Sequence, residues 1–196
     1  MNPRLVLTRL LLLPVALLAL VTGPIYGPGS LAETLVVSAG LMLLLAAAGG
    51  RIWASAYVIG KKNDVLITAG PYALVRNPLY LFSLLGFSGT GLAFGSVTLA
   101  VLFELVFFTT HWPAIRREEA ELERLFGEEY ARYRERVPRF LPRLGRRRTE
   151  AAASFEGTRF EVALRESMAI PLVFVLAEFV RWARVAGYLP AYFLLP

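Results

Sequence analysis

The sequence predicts an all-α integral membrane protein of four to five transmembrane helices, its polar chemistry gathered at one end of the third and fourth. Three observations predict it. First, the 196-residue chain is 56% hydrophobic with mean hydropathy +0.55, more apolar than soluble domains at ~45–50%. Second, its apolar residues come in runs approaching or exceeding the ~18 needed to cross hydrocarbon. Third, the polar residues concentrate in two cassettes, TAGPYALVRNPLY at 68–80 and REEAELERLFGEEYARYRERVPRFLP at 117–142. The apolar stretch between them, 79–110, is long enough for a helical hairpin. A hairpin returns both of its ends to one membrane face, so the two cassettes can form one site.

The chain has no cysteine, which excludes disulfides, thiolate metal sites and a cysteine nucleophile and suits a reducing cytoplasmic face. A net charge of +6 and a pI near 10.0 would also suit nucleic acid. These charges, however, stand beside apolar spans, where they set topology and attract anionic lipid. No nucleic-acid-binding motif accompanies them. Membrane lipids, not nucleic acid, are the expected partners.

The first span, 3–21, ends in the breaker cluster TGPIYGPGS at 22–30. Two Arg ahead of an apolar run resemble a signal peptide, but the run is long and lacks a clear small-x-small cleavage site, so a retained helix is expected. The second span runs from Leu31 to about Tyr57 and carries the small-residue run AAAGG at 46–50, which permits close helix approach in lipid. The third, 79–95, holds Gly86, Gly89, Gly91 and Gly95. That spacing hints at a dinucleotide loop, but such a loop needs a preceding strand; helix packing or a kink near the turn is the better reading. The fourth span, 97–115, passes without a breaker into a charged segment.

Loop charges give the orientation. Arg4 and Arg9 precede or enter the first span, and Arg51, Lys61, Lys62 and Arg76 stand at or beyond the end of the second. The 22–32 loop and the 95–97 turn carry no Lys or Arg. The positive-inside rule places the N-terminus and both cassettes in the cytoplasm, in the inner membrane of a prokaryote. Residues 1–144 then form the membrane domain and 145–196 a linker followed by a fifth span or an interfacial helix, because Glu178, Arg181 and Arg184 interrupt the apolar run that begins at 168.

Within the first cassette Asn77 precedes Pro78, a strong N-cap followed by the residue suited to the first helical position. The third helix is expected to start there, its free N–H groups beside Arg76. That is a ready site for a carboxylate or phosphate, although Arg76 could equally anchor the helix at the headgroups. In the second cassette His111, Ile115, Glu118 and Leu122 fall on one helical face with Glu119 beside it. Taken alone, such a His is usually structural and such Glu pairs usually meet neighbouring Arg.

These residues carry a resemblance. Gly70, Tyr72, Arg76, Asn77, Pro78 and Tyr80, then Glu118, Glu119 and Leu122, then Phe126, Gly127, Tyr130, Tyr133, Val137 and Pro138 resemble the signature of the isoprenylcysteine carboxyl methyltransferase and phospholipid methyltransferase superfamily. The resemblance covers roughly 60–142 in both order and spacing. Many members carry His where this chain has Asn77; it resembles a bacterial branch reading Arg-Asn-Pro.

The resemblance implies a methyltransferase using S-adenosylmethionine, bound at the cytoplasmic end of the hairpin. Carried over by position, it implies a cofactor cradle of Ile67, Thr68, Gly70, Tyr72, Arg76, Asn77, Pro78, Tyr80, His111, Glu118 and Glu119. It also implies catalytic roles for Arg76, Arg136 and Glu118, the two Arg facing the acceptor or reacting centre. The acceptor would be a lipophilic molecule arriving from the bilayer. An ionised carboxylate would want Arg and no base, whereas an amine or hydroxyl would need a base such as Glu118 or Glu119. O-methylation of an isoprenylcysteine-like carboxylate leads. Phospholipid amine N-methylation, a non-catalytic scaffold and a membrane reductase are the alternatives; nothing in the sequence resembles a nicotinamide signature.

Overall fold

The computed structural model describes residues 3–59, 64–142 and 157–196. Lys61 and Lys62, used above for orientation, and the linker at 145–156 lie outside the described residues. Helix α1 (Pro3–Val21) leads through strand β1 (Thr22–Pro24) to α2 (Leu31–Val58), α3 (Pro78–Ala93) and α4 (Val97–Arg136). The tail adds α5 (Gly157–Met168), α6 (Leu172–Val185) and strand β2 (Phe193–Leu195).

Ser30 starts α2, its hydroxyl accepting from the Glu33 amide at 3.2 Å. The Glu33 carboxylate reaches back to the Gly29 amide at 2.6 Å, the reciprocal pattern of a capping box displaced by one residue. Helix α3 packs mainly on α2 and then on α4. The glycines noted in the sequence permit that contact. A Cβ on Gly40 would lie 2.5 Å from the Ala93 nitrogen, one on Gly91 2.0 Å from the Ala100 nitrogen, and one on Gly50 2.1 Å from the Phe82 ring. They serve helix packing, not a nucleotide loop. At the α3–α4 turn Gly95 takes φ +81°, and the Ser96 hydroxyl caps α4 by accepting from the Leu99 amide at 3.1 Å.

The core joins Ala19 of α1, Leu44 of α2, Ala93 of α3, Phe103 of α4, and Ala177 and Val180 of α6. Large apolar side chains also cover the outside: Leu10, Leu13 and Leu17 on α1, Leu35 and Met42 on α2, Val101 and Leu105 on α4, Leu172 and Phe179 on α6. So much outward apolar surface needs a nonpolar surround. Helices α2 and α4 are long and apolar enough to cross a membrane, with 18-residue windows of mean hydropathy 2.0 and 1.4; α1 and α3 are shorter apolar helices.

Two expectations need correction and a third needs an addition. The chain is not wholly helical: β1 and β2 pair in parallel, Thr22 with Phe193 through Pro24 with Leu195, among Gly and Pro residues that give no strand pattern. The stretch ahead of the apolar run at 168, expected as linker, is in part helical, as α5 (Gly157–Met168), and the chain turns at Ala169–Pro171 before α6. The fourth span does pass unbroken into the charged segment, as expected, and the chain breaks only later. Gly127 (φ +49°, ψ −119°) divides α4, and this turn sets the geometry of the site.

Candidate active site

Beyond the apolar part of α4, the Gly127 break folds its last turns back over the first cassette. Tyr130, Tyr133 and Val137 bury themselves there against Leu66, Leu122 and Phe126. The Tyr133 hydroxyl donates to the Tyr72 carbonyl at 2.6 Å, and the Arg76 amide donates to the Pro138 carbonyl at 2.8 Å. From the other side, Gly70 (φ +59°) opens a 3₁₀ turn over Gly70–Ala73 and lies against the Tyr57 ring, which a Cβ would meet at 2.4 Å.

The two cassettes are joined at Glu119. Its carboxylate is buried. It accepts from Asn77 Nδ2 at 2.7 Å and from Arg139 Nε and Nη2 at 3.1 and 2.5 Å, and it pairs with Arg76 Nη2 at 3.4 Å. Burial alone would raise its pKa. The hydrogen bonds from Arg139 and Asn77 and the charge of Arg76 more than offset that, holding the carboxyl below the usual Glu value. Arg139 is raised in turn, chiefly by its bond to Glu119. Burial, with the Glu118 charge second, pushes the Tyr72 phenol up. Burial pushes Tyr133 up as well and takes Tyr130 to about 12. These phenols stay neutral at physiological pH.

Three cavities run from this junction into the helices. The first, of about 390 Å³, is lined by Ile67, Tyr72, Arg76, Asn77, Pro78, Tyr80 and Glu118, together with Val58, Leu66, Arg117, Glu121, Leu122 and Tyr133. The second, of about 610 Å³, is lined by Arg51, Ser83, Phe87, Thr90, His111 and Glu166, and it shares Leu79, Tyr80 and Glu118 with the first. The third, of about 350 Å³, is lined by apolar residues of α1, α3, α4 and α6 and shares Phe87, Thr90 and Val173 with the second. The sizes of all three lie within the ~300–1,000 Å³ of small-molecule sites.

The sequence-predicted residues distribute unevenly. Seven of them line the first cavity: Ile67, Tyr72, Arg76, Asn77, Pro78, Tyr80 and Glu118. Thr68 and Gly70 do not, Gly70 instead shaping the turn behind it. Glu119 stands behind the wall and holds Arg76 and Asn77 in place. His111 belongs to the second cavity, its ring stacked on Phe107 at 4.6 Å. Asn77 holds the N-cap position of α3, its carbonyl accepting from the Leu81 amide at 3.0 Å, but its side chain makes no capping bond and its Nδ2 donates to Glu119 instead. Arg136 is not brought into the site. It is exposed and its Nε donates to the Arg132 carbonyl of its own helix, because the chain leaves the helix only at Val137. Three residues later Arg139 makes the reach expected of Arg136, lying also over the Trp112 ring at 5.0 Å. Sequence reasoning missed Arg139, Glu121, Arg117 and Glu166. Arg139 had one signal, its place directly after the Val137-Pro138 helix stop.

The sequence profile of phospholipid methyltransferases matches residues 32–129, a span holding α2, the first cassette, α3 and most of α4. The chain belongs to the phospholipid methyltransferase family. It is 33% identical over 182 residues to a nickel-cobalt-cadmium resistance protein of Alcaligenes xylosoxydans xylosoxydans, covering 93% of this chain and 85% of that protein. It is 34% identical over 140 residues to a cobalt-zinc-cadmium resistance protein of Cupriavidus metallidurans, covering 71% and 64%. It is also 37% identical over 81 residues to a protein-S-isoprenylcysteine O-methyltransferase of Schizosaccharomyces pombe, covering 41% and 34%. No solved structure gives a significant match. The resemblance read from the two cassettes is therefore confirmed at the level of the superfamily, and this methyltransferase-family chain is a membrane protein.

Proposed function

We propose that this protein is a methyltransferase that uses S-adenosylmethionine to methylate a lipophilic acceptor, with O-methylation of an isoprenylcysteine-like carboxylate as the leading reaction. One observation carries the reading. The cavity built from the cassettes and the chamber inside the helices meet at a shared wall, Leu79, Tyr80 and Glu118. A donor held on one side and an acceptor on the other would face each other there.

The first cavity fits the donor. Arg76 Nε is buried with no hydrogen-bond partner among the described residues, a donor waiting for an acceptor group such as a carboxylate. The first turn of α3 points amides with no intrahelical partner the same way. Glu118 and Glu121 suit an ammonium, and Val58, Leu66, Ile67 and Leu122 offer apolar walls for an adenine ring. When bound, S-adenosylmethionine supplies an electrophilic methyl group. This chain's residues supply alignment, which can account for about 7–11 kcal/mol of the barrier. Glu119 fixes Arg76, and Tyr80 and Leu79 narrow the passage between donor and acceptor.

The topology proposed is four helical crossings, with the apolar run from 168, which holds α6, as a fifth span or an interfacial helix. The cassettes face the cytoplasm, as loop charge supports, and the membrane is the inner membrane of a prokaryote, which the two metal-resistance relatives favour. The runner-up reaction is N-methylation of a phospholipid amine. Glu118 at the passage favours it, since a carboxylate there attracts an ammonium and can take its proton. The deciding experiment incubates purified protein with methyl-labelled donor and either an S-prenylated cysteine bearing a free carboxylate or an aminophospholipid. Alkali-labile label on the first supports the ester reading, alkali-stable label on the second supports the amine reading, and label on neither contradicts both.

A further inference from the structure

Arg51 lies in the apolar helix α2, yet its guanidinium faces the second cavity. Its Nη1 donates to the Ser83 hydroxyl of α3 at 2.6 Å. Among the described residues no carboxylate stands within ion-pairing distance of it, and Glu166 of α5 acts on it only at longer range. An Arg inside a membrane helix is costly, and it characteristically faces a cavity and marks the path of a charged substrate. The other titratable groups lining this chamber are His111, Glu166, and Tyr80 and Glu118 at the wall shared with the first cavity. On the side away from the passage the chamber continues into the apolar third cavity, bounded by Leu12, Ala16, Phe94, Phe103 and Leu176. Although Glu118 and Glu166 also line the chamber, the Arg51 guanidinium is not ion-paired among the described residues, and a guanidinium so placed beside an apolar pocket suits an amphipathic molecule with an anionic head.

We propose that Arg51 anchors the anionic head group, carboxylate or phosphate, of the lipophilic acceptor, and that Glu166, from outside the family-matched residues 32–129, limits the negative charge the chamber accepts. This rests on the methyltransferase reading for the word acceptor alone. A planar guanidinium can grip two oxygens of either head. In the carboxylate case one oxygen sits on Arg51 and the other is turned towards Glu118 and Tyr80. In the phosphate case Arg51 takes the phosphate and leaves the amine for the passage.

The test measures binding of four twelve-carbon probes to the full-length protein in detergent: dodecanoate, dodecyl phosphate, dodecanol and dodecyltrimethylammonium. S-adenosylhomocysteine is titrated in parallel. At least one anionic probe should bind about 10-fold or more tightly than the neutral and cationic ones, as expected for charge-assisted bonds. Whichever anion binds best identifies the head. Arg51→Gln should erase that preference and leave S-adenosylhomocysteine affinity unchanged, and Glu166→Gln should strengthen anion binding. Ser83→Ala should keep the preference, because the anchor role needs the guanidinium and not its tie to α3. If Arg51 served only to join α2 to α3, Ser83→Ala would reproduce Arg51→Gln, and that result overturns the proposal. Equal binding of all four probes overturns it as well. Should Arg51→Gln not fold, Arg51→Lys decides: weakened but still anion-selective binding supports the anchor, and unchanged binding contradicts it. Loss of S-adenosylhomocysteine binding by the wild type would refute the methyltransferase reading and leave the anion preference to stand on its own.

Discussion

Two buried carboxylates, Glu33 and Glu119, use the same chemistry at opposite ends of the molecule and to different ends. Glu33 caps its own helix through the Gly29 amide and ties α2 to the tail through Arg181 at 2.8 Å, with Glu178 sharing that Arg. Nearby, β1 and β2 close the chain, and the Pro196 carbonyl accepts from the Ser96 hydroxyl at 2.8 Å. That end is a fastening: among the described residues neither Glu33 nor Arg181 lines any of the three cavities. Glu119 fastens too, but its partners Arg76 and Asn77 line a cavity. A buried ion pair alone therefore says little about function. What distinguishes the site end is that the members of its clamp, Arg76 and Asn77, line a cavity, for among the described residues a buried Nε without a hydrogen-bond partner occurs on Arg181 as well as on Arg76.

The comparison breaks most sharply on removing each carboxylate. Glu119→Ala and Glu33→Ala should each destabilise the protein by about 3–5 kcal/mol, the cost of leaving buried partners uncompensated, as read from thermal unfolding in detergent. Only Glu119→Ala should also abolish S-adenosylhomocysteine binding. Equal loss of binding in both would mean that the two ends are not functionally distinct. Gly127→Ala comes next. Its positive φ costs an L residue about 1–3 kcal/mol, although a Cβ would meet nothing within 4 Å. It should loosen the fold-back and lower turnover, while hydrogen exchange around β1 and β2 stays as in the wild type.

A pH titration sharpens the same contrast. The Glu119 carboxyl is held below its ordinary value in the folded protein, so its stabilisation is present above the unfolded-state Glu pKa and is lost as pH falls through the folded one. Unfolding temperature should drop on acidification below about 4.3, and Glu119→Gln should flatten that part of the curve. A smaller effect separates two arginines. Arg139→Ala should weaken cofactor affinity about tenfold or more through the lost charge-assisted bonds. Arg136→Ala should alter stability by less than about 0.5 kcal/mol and leave turnover near normal.

Much of this was legible in the sequence, because hydrophobic spans, helix stops and the cassettes are local patterns. Pro78 starts α3, and the glycines serve close helix packing, Gly50 of the small-residue run against the Phe82 ring and Gly89 and Gly91 against neighbouring backbone. Arg136 was misplaced for a reason equally local: one residue decides whether a side chain leaves with the helix or beyond it, and spacing does not resolve that at Val137-Pro138. Asn77 has the makings of a cap, and only the fold brings Glu119, 42 positions away, within reach of its amide. The chamber was hidden because Arg51, His111 and Glu166 are far apart in sequence. The β1–β2 pairing joins residues about 170 positions apart, as Thr22 with Phe193 illustrates, and no periodicity encodes it.

The most direct measurement is a crystal structure of the protein with S-adenosylhomocysteine. The account predicts the ligand in the cavity between Arg76 and Glu118, its carboxylate on Arg76, and its sulfur turned towards Tyr80 and the chamber that holds Arg51. A ligand bound elsewhere, or one whose sulfur faces away from that passage, would contradict it.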